Sequence, residues 1–160
     1  MEADTTRTYS SSDRAWIPVP LIPKGEAFIK VIHADPELHK VVFKFRFGPG
    51  TELPSHTHRC HAIAYTLSGE WAYEGLTLPE GAIAYEPVES THTPTSDPGA
   101  ELVVILDSED DQFLVNHMPD GTDIPFDINF FKALEGISPE DAAKLTEEVA
   151  AQAADGSAPA

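Results

Sequence analysis

The sequence predicts an all-β sandwich or barrel finished by short C-terminal helices. Three observations carry that reading: one clean two-residue alternation, turn signals at short intervals, and short strand-like runs between them. The alternation is "VVFKFRF" (41–47). Val41, Phe43, Phe45 and Phe47 share one face and Val42, Lys44 and Arg46 the other, which is a strand with one wet face. The turn signals are Pro49-Gly50, Ser68-Gly69, Pro79-Glu80-Gly81, Pro98-Gly99 and Asp120-Gly121. Between them lie "AIAYTL" (62–67), "EWAYE" (70–74), "AIAYE" (82–86), "ELVVIL" (101–106) and "QFLVNH" (112–117). Upstream, residues 1–14 are polar and expected to be loose. "WIPVPLIP" (16–23) is punctuated by proline and must be extended. Downstream the pattern turns helical. "DINFFKALEG" (127–136) reads as a helix entered at Asp127 and stopped at Gly136. "SPEDAAKLTEEVAAQAA" (138–154) places Ser138 as N-cap and Pro139 at the first helical position. The division expected is a barrel over 15–126, helices packed on it over 127–154, and a frayed tail at 155–160.

At 160 residues the chain is long enough for one real core and too short for two. Its net charge is −17 and unevenly spread. Residues 1–60 carry eight Lys/Arg against seven Asp/Glu, and residues 61–160 carry two against twenty. That balance offers nothing to a phosphate backbone or an anionic bilayer, so neither nucleic acid nor membrane is expected as a partner. No apolar stretch near the N-terminus resembles a signal peptide. The single cysteine, Cys60, has no partner for an internal disulfide, and a reducing, cytoplasmic setting is expected. A small buried hydrophobe is the better reading of Cys60 than a nucleophile.

The chemistry concentrates in "PSHTHRCHAIAYTLSGEW" (54–71), where three of seven histidines fall within six residues. On a strand, His56 and His58 point to one face, as two imidazoles on one metal require. His61 has the opposite parity and should face away. His33, His39 and His117 have no motif around them and read as surface or structural. Gly50 lies six residues before His56, Gly69 closes the run, and "GAIAYEPVESTH" carries Gly81, Pro87 and His92.

These positions resemble the two motifs of the cupins, G-x5-H-x-H-x3/4-E-x6-G and G-x5-P-x-G-x2-H-x3-N. The resemblance covers roughly residues 40–110. It implies a jelly-roll-like double-stranded β-helix barrel in which His56, His58 and His92 hold a metal. Three positions depart: Ala62 stands where the motif has glutamate, Glu89 where it has glycine, and Ser96 where it has asparagine. With Ala62 in place of the carboxylate, a three-histidine site without a protein carboxylate is expected. "HAIAYTLSGEWAYEG" and "AYEPVESTHT" are similar to three-histidine cupin dioxygenases of the 2,4'-dihydroxyacetophenone and acetylacetone-cleaving groups. That implies Fe(II) as cofactor, with Zn or Ni able to replace it on purification. It also implies O2 and a small ketone or diketone as substrates. The alternatives are a metal- or ligand-binding cupin without turnover, or a metal-dependent isomerase or hydrolase. Glu74 and Glu86 are the carboxylates available to stand in for the missing one. A two-residue hairpin turn at Ser68-Gly69 would turn Trp71 and Tyr73 inward beside Ala62 and Glu74 outward. A bulge would bring Glu74 closer. Trp71 and Tyr73 are then candidates for the pocket wall or for plain core packing. A homodimer is expected, with the edge near "WIPVPLIP" covered by the second copy.

Overall fold

Strands dominate the computed structural model, which describes residues 5–155. In chain order they are β1 (Ile17–Pro18), β2 (Ala27–Asp35), β3 (Lys40–Phe47), β4 (Thr51–Glu52), β5 (Ser55–His58), β6 (His61–Tyr73) and β7 (Leu76–Pro79). There follow β8 (Ile83–Glu86), β9 (Thr91–His92), β10 (Thr95–Ser96), β11 (Ala100–Asp107), β12 (Gln112–His117) and β13 (Asp123–Asp127). The helices are α1 (Ile128–Glu135) and α2 (Pro139–Asp155). All pairings are antiparallel. A large sheet runs β1-β2-β3-β11-β6-β10-β4, with β7 and β8 also on β6, and a smaller one runs β13-β12-β5-β9. The two curl around a shared core, the jelly-roll-like arrangement that the motif resemblance implies.

The face of β3 expected to be dry is so: Val41, Phe43 and Phe47 are buried. Its wet face carries Lys44 and Arg46, which lie over the Trp16 ring together with Lys30 of β2. "WIPVPLIP" is folded onto its own barrel. Ile17 and Pro18 pair with Ile29 and Phe28, and Ile17 is buried. β1 is the edge strand of the large sheet, and beyond it Pro20, Leu21 and Pro23 are exposed.

Ser68-Gly69 is not a hairpin turn. β6 continues through it for 13 residues. The pairing with β11 slips by one residue here, Glu101 facing Ser68 and Leu102 facing Thr66. The extra residue makes a bulge, and Gly69 at φ +72° passes so close to Gly99 that a Cβ would lie 2.0 Å from its carbonyl oxygen. The turn signal was real, but a bent strand uses it. The hairpin lies further on, where Glu74 and Gly75 (φ +36° and +83°) join β6 to β7.

Among the strands of five residues or more, two carry no clear sequence signal. β2 loses its alternation to a bulge between Val31 and His33, and β13 contains Pro125, tolerable because β13 is an edge strand. The helices start as their caps dictate: Asp127 accepts from the Phe130 N–H and Ser138 from the Asp141 N–H. Phe131 of α1 is fully buried against Phe43 and Phe113. Within the segment expected to be loose, residues 9–14 make contacts: Ser10 caps a short 3-10 turn, Tyr9 stacks on His33, and Arg14 donates to the Ile32 carbonyl. Of the expected 155–160 tail only Asp155 lies within the described residues.

Glu135 joins these pieces. Its carboxylate accepts from the Ala34 N–H on β2, from Lys132, and from Arg14. Burial pushes its carboxyl up, but the bonds from Ala34 and Lys132 outweigh this and hold it below its ordinary 4.5. A carboxyl lowered on folding adds stability above its unfolded pKa and loses it as the pH falls. Glu135→Gln should therefore cost about 1–3 kcal/mol at neutral pH. It should also flatten the acid limb of stability below about pH 5, read from urea midpoints across pH.

Candidate metal centre

Four side chains meet inside the barrel. His56 and His58 leave β5 on the same face, and β9 pairs so that His92 stands directly opposite His56. The Nε2 atoms of His56 and His58, and of His58 and His92, are 3.2 Å apart. The fourth group is Glu86, which arrives from the other sheet on β8. Its Oε2 lies 2.7 Å from His58 Nε2 and 3.2 Å from His92 Nε2. One donor atom from each of the four lies within 4.8 Å of all the others. Two donors about 2.1 Å from one ion and at right angles are about 3.0 Å apart, so these spacings suit a shared divalent cation.

The missing carboxylate is thus present, one strand over. Glu86 is the register partner of Ala62. Cross-strand partners share a face with Cβ atoms about 5 Å apart, so a carboxylate at either position reaches the same point. Ala62, nearly fully buried, leaves the room that Glu86 fills. The expectation of a site without a protein carboxylate is corrected accordingly.

A sequence model of the ChrR cupin-like domain matches residues 5–109, about two thirds of the chain. The chain belongs to that family. No curated protein matches it. Among solved structures, it is similar to an RmlC-like cupin from Ralstonia eutropha (20% identity, 98% of this chain and 92% of that one, TM-score 0.68). It is similar to an acetylacetone dioxygenase from Acinetobacter johnsonii (15%, 84% and 92%, TM-score 0.68). A third likeness is to a candidate acetylacetone dioxygenase from Methylibium petroleiphilum (18%, 86% and 99%, TM-score 0.72). At such identities the likeness is one of fold.

Within this cupin, charge at the site is settled by burial and contact. Burial, followed by repulsion from His58 and His92, lowers His56 to about 3, so its imidazole is neutral at pH 7. Burial alone would raise the Glu86 carboxyl, but hydrogen bonds from His58 and His92 hold it at about 2. Histidines that bind an ion through ring lone pairs add no charge, so with the one carboxylate a bound divalent ion would be left with a net 1+ charge.

The remaining candidates separate cleanly. Glu74 is not in the group; its Oε1 accepts from the Thr93 N–H and so fixes the backbone next to His92. Tyr73 stacks on the His92 ring at 4.2 Å between centroids, 13° from parallel. Trp71 is buried, donates to Thr66 Oγ1, and lines the cavity beside the group. His61 faces out and lies 3.1 Å from the Tyr85 hydroxyl, as parity requires. Cys60 is fully buried, and burial, followed by the Glu86 charge, pushes its thiol to about 12, leaving it an inert hydrophobe. His117 bridges Thr57 and Asp123 on the outer face.

The framework departures are also accounted for. Glu89, at the motif's glycine position, keeps glycine's backbone: its φ is +71°. A two-pronged ion pair with Arg59, 2.9 Å to each oxygen, holds it there. Ser96, at the motif's asparagine position, donates to the Glu70 carbonyl at 2.6 Å and ties β10 to β6.

Proposed function

We propose that the protein is an Fe(II)-dependent dioxygenase that cleaves a carbon–carbon bond beside a carbonyl in an enolisable ketone or diketone. His56, His58, His92 and Glu86 hold the metal in this reading. The observation that carries it is the mixed imidazole–carboxylate group on the wall of an apolar cavity. Ligand type alone suits Fe(II), Zn, Cu and Ni. The dioxygenase choice draws its support from two fold neighbours described as an acetylacetone dioxygenase and a candidate one.

Ferrous iron held there would supply adjacent open positions for O2 and for the substrate's oxygens. The chain's own residues do the rest. The three histidines offer ring-nitrogen lone pairs, Glu86 stays ionised, and Tyr73 fixes the plane of His92 by stacking. Apolar walls keep water from the reacting carbons. The test is anaerobic reconstitution with Fe(II), then oxygen-electrode measurements with β-diketones and hydroxyacetophenones. Metal-dependent O2 uptake with carbonyl products is expected. Stoichiometric iron without uptake on any of these would favour a second reading, a metal- or ligand-binding cupin without turnover. The ChrR cupin-like family, which is described by its fold, is compatible with that reading.

Two copies associate in this proposal, through a different face from "WIPVPLIP". Ile63, Tyr65, Ile83, Tyr85 and Ile105 stand 41–66% exposed on the outside of neighbouring strands β6, β8 and β11. They are register neighbours across three strands and so form one continuous uncharged patch, the kind of face that often marks an association site. Beside this face, β8 pairs only with β6 among the described residues, so its second edge is open. In a chain of charge −17, such a face is where a second copy meets least repulsion. Sedimentation at micromolar concentration should give a dimer for the native chain and a monomer for Ile83→Glu. A native monomer contradicts the association.

A further inference from the structure

We propose that the ligand is mainly apolar and carries no charged group away from the metal, with an aryl ring or a comparable chain, and that its oxygen-bearing end sits between the metal group and the Asn116 amide. This deepens the reading of the site given above, and its first ground is size. The cavity in front of the metal group holds about 360 Å³. A cavity of about 150 Å³ accepts benzene, so a five-carbon diketone would leave much of this one empty.

The second ground is chemistry. The only polar side chains on the wall are the four of the metal group, the Trp71 indole and Asn116. No lysine, arginine, serine or threonine is among the lining residues. A ligand carboxylate, phosphate or sugar away from the metal would lose its hydration without a partner, which costs several kcal/mol. Aromatic rings suit the opposite kind of body. Phe126 and Phe130 stack at 3.8 Å between centroids, and Phe43 and Phe131 at 5.7 Å, all four lining the cavity.

The third ground is Asn116 itself. It is the register partner of His56 on β12 and so shares the inward face. Asn116 is half-buried; its amide nitrogen reaches the Ile124 carbonyl at the long distance of 3.5 Å, and among the described residues nothing donates to its oxygen. An amide beside one metal ligand, with capacity to spare, is placed to hold a ligand carbonyl or hydroxyl and set its orientation. Asn116 is thus a positioning residue for the ligand.

The experiment uses protein loaded with Zn(II), which cannot turn over with O2, and follows binding by calorimetry and Trp fluorescence. The probes are acetylacetone, benzoylacetone, and benzoylacetone bearing a para carboxylate. Benzoylacetone should bind at least tenfold more tightly than acetylacetone, and the carboxylate should remove that gain. Asn116→Leu should keep full zinc content and weaken benzoylacetone about tenfold, as the loss of one hydrogen bond predicts. Leu114→Trp, which fills the cavity, should weaken benzoylacetone and leave acetylacetone little changed. Equal binding of the two diketones, or tightest binding of the carboxylate, overturns the inference even if acetylacetone is cleaved. The predicted order without O2 uptake by the iron-loaded protein would keep the inference and remove the dioxygenase reading.

Discussion

Glu86→Ala should strip the protein of tightly held divalent metal, and adding Ala62→Glu should restore it. Loss of residues that merely support a metal ligand costs about 10–100-fold in affinity, and loss of a direct carboxylate ligand should exceed that range. The rescue follows from the ladder. Ala62 and Glu86 are register partners on one face, so their carboxylates occupy the same space from opposite strands. Metal content after equilibration with one equivalent of Fe(II) should be near one in the native chain, near zero in Glu86→Ala, and near one in the double variant. Ala62→Glu alone would crowd two carboxylates into a space shaped for one, and should lower stability. Full metal content in Glu86→Ala would mean that the carboxylate only hydrogen-bonds His58 and His92.

The second large effect separates His92 from His61. His56→Ala, His58→Ala and His92→Ala should each abolish stoichiometric metal and O2-dependent cleavage, whereas His61→Ala should keep both. His61 sits three residues after His58 and is tempting on spacing alone, yet it is exposed and turned toward Tyr85. Metal content of the four purified variants decides the matter. Loss of metal in His61→Ala with retention in His92→Ala would break the assignment of the third histidine.

The three histidines were legible because their positions are set by local rules. Two-residue parity aligns His56 with His58, and the glycine and proline spacing carries His92 to the facing strand. Glu86 was harder to read because its role depends on which strand lies beside β6, information that no local pattern holds. It was one of two available carboxylates, and Glu74 had the stronger motif context. The structure uses Glu74 in the hairpin turn. The same limit explains Ser68-Gly69. A glycine with positive φ serves a turn or a bulge equally well, and here the close approach of Gly99 decides for the bulge. β2 and β13 escaped notice because a bulge and an edge proline interrupt their alternation. The helices were plain from Asp127, Ser138 and Pro139, since caps act within a few residues.

The most direct test of the account is iron-edge anomalous diffraction from crystals reconstituted anaerobically with Fe(II). It predicts one peak per chain, about 2.0–2.3 Å from His56, His58 and His92 Nε2 and from a Glu86 oxygen. A peak bound elsewhere, or one held by the histidines with Glu86 turned away, would contradict it.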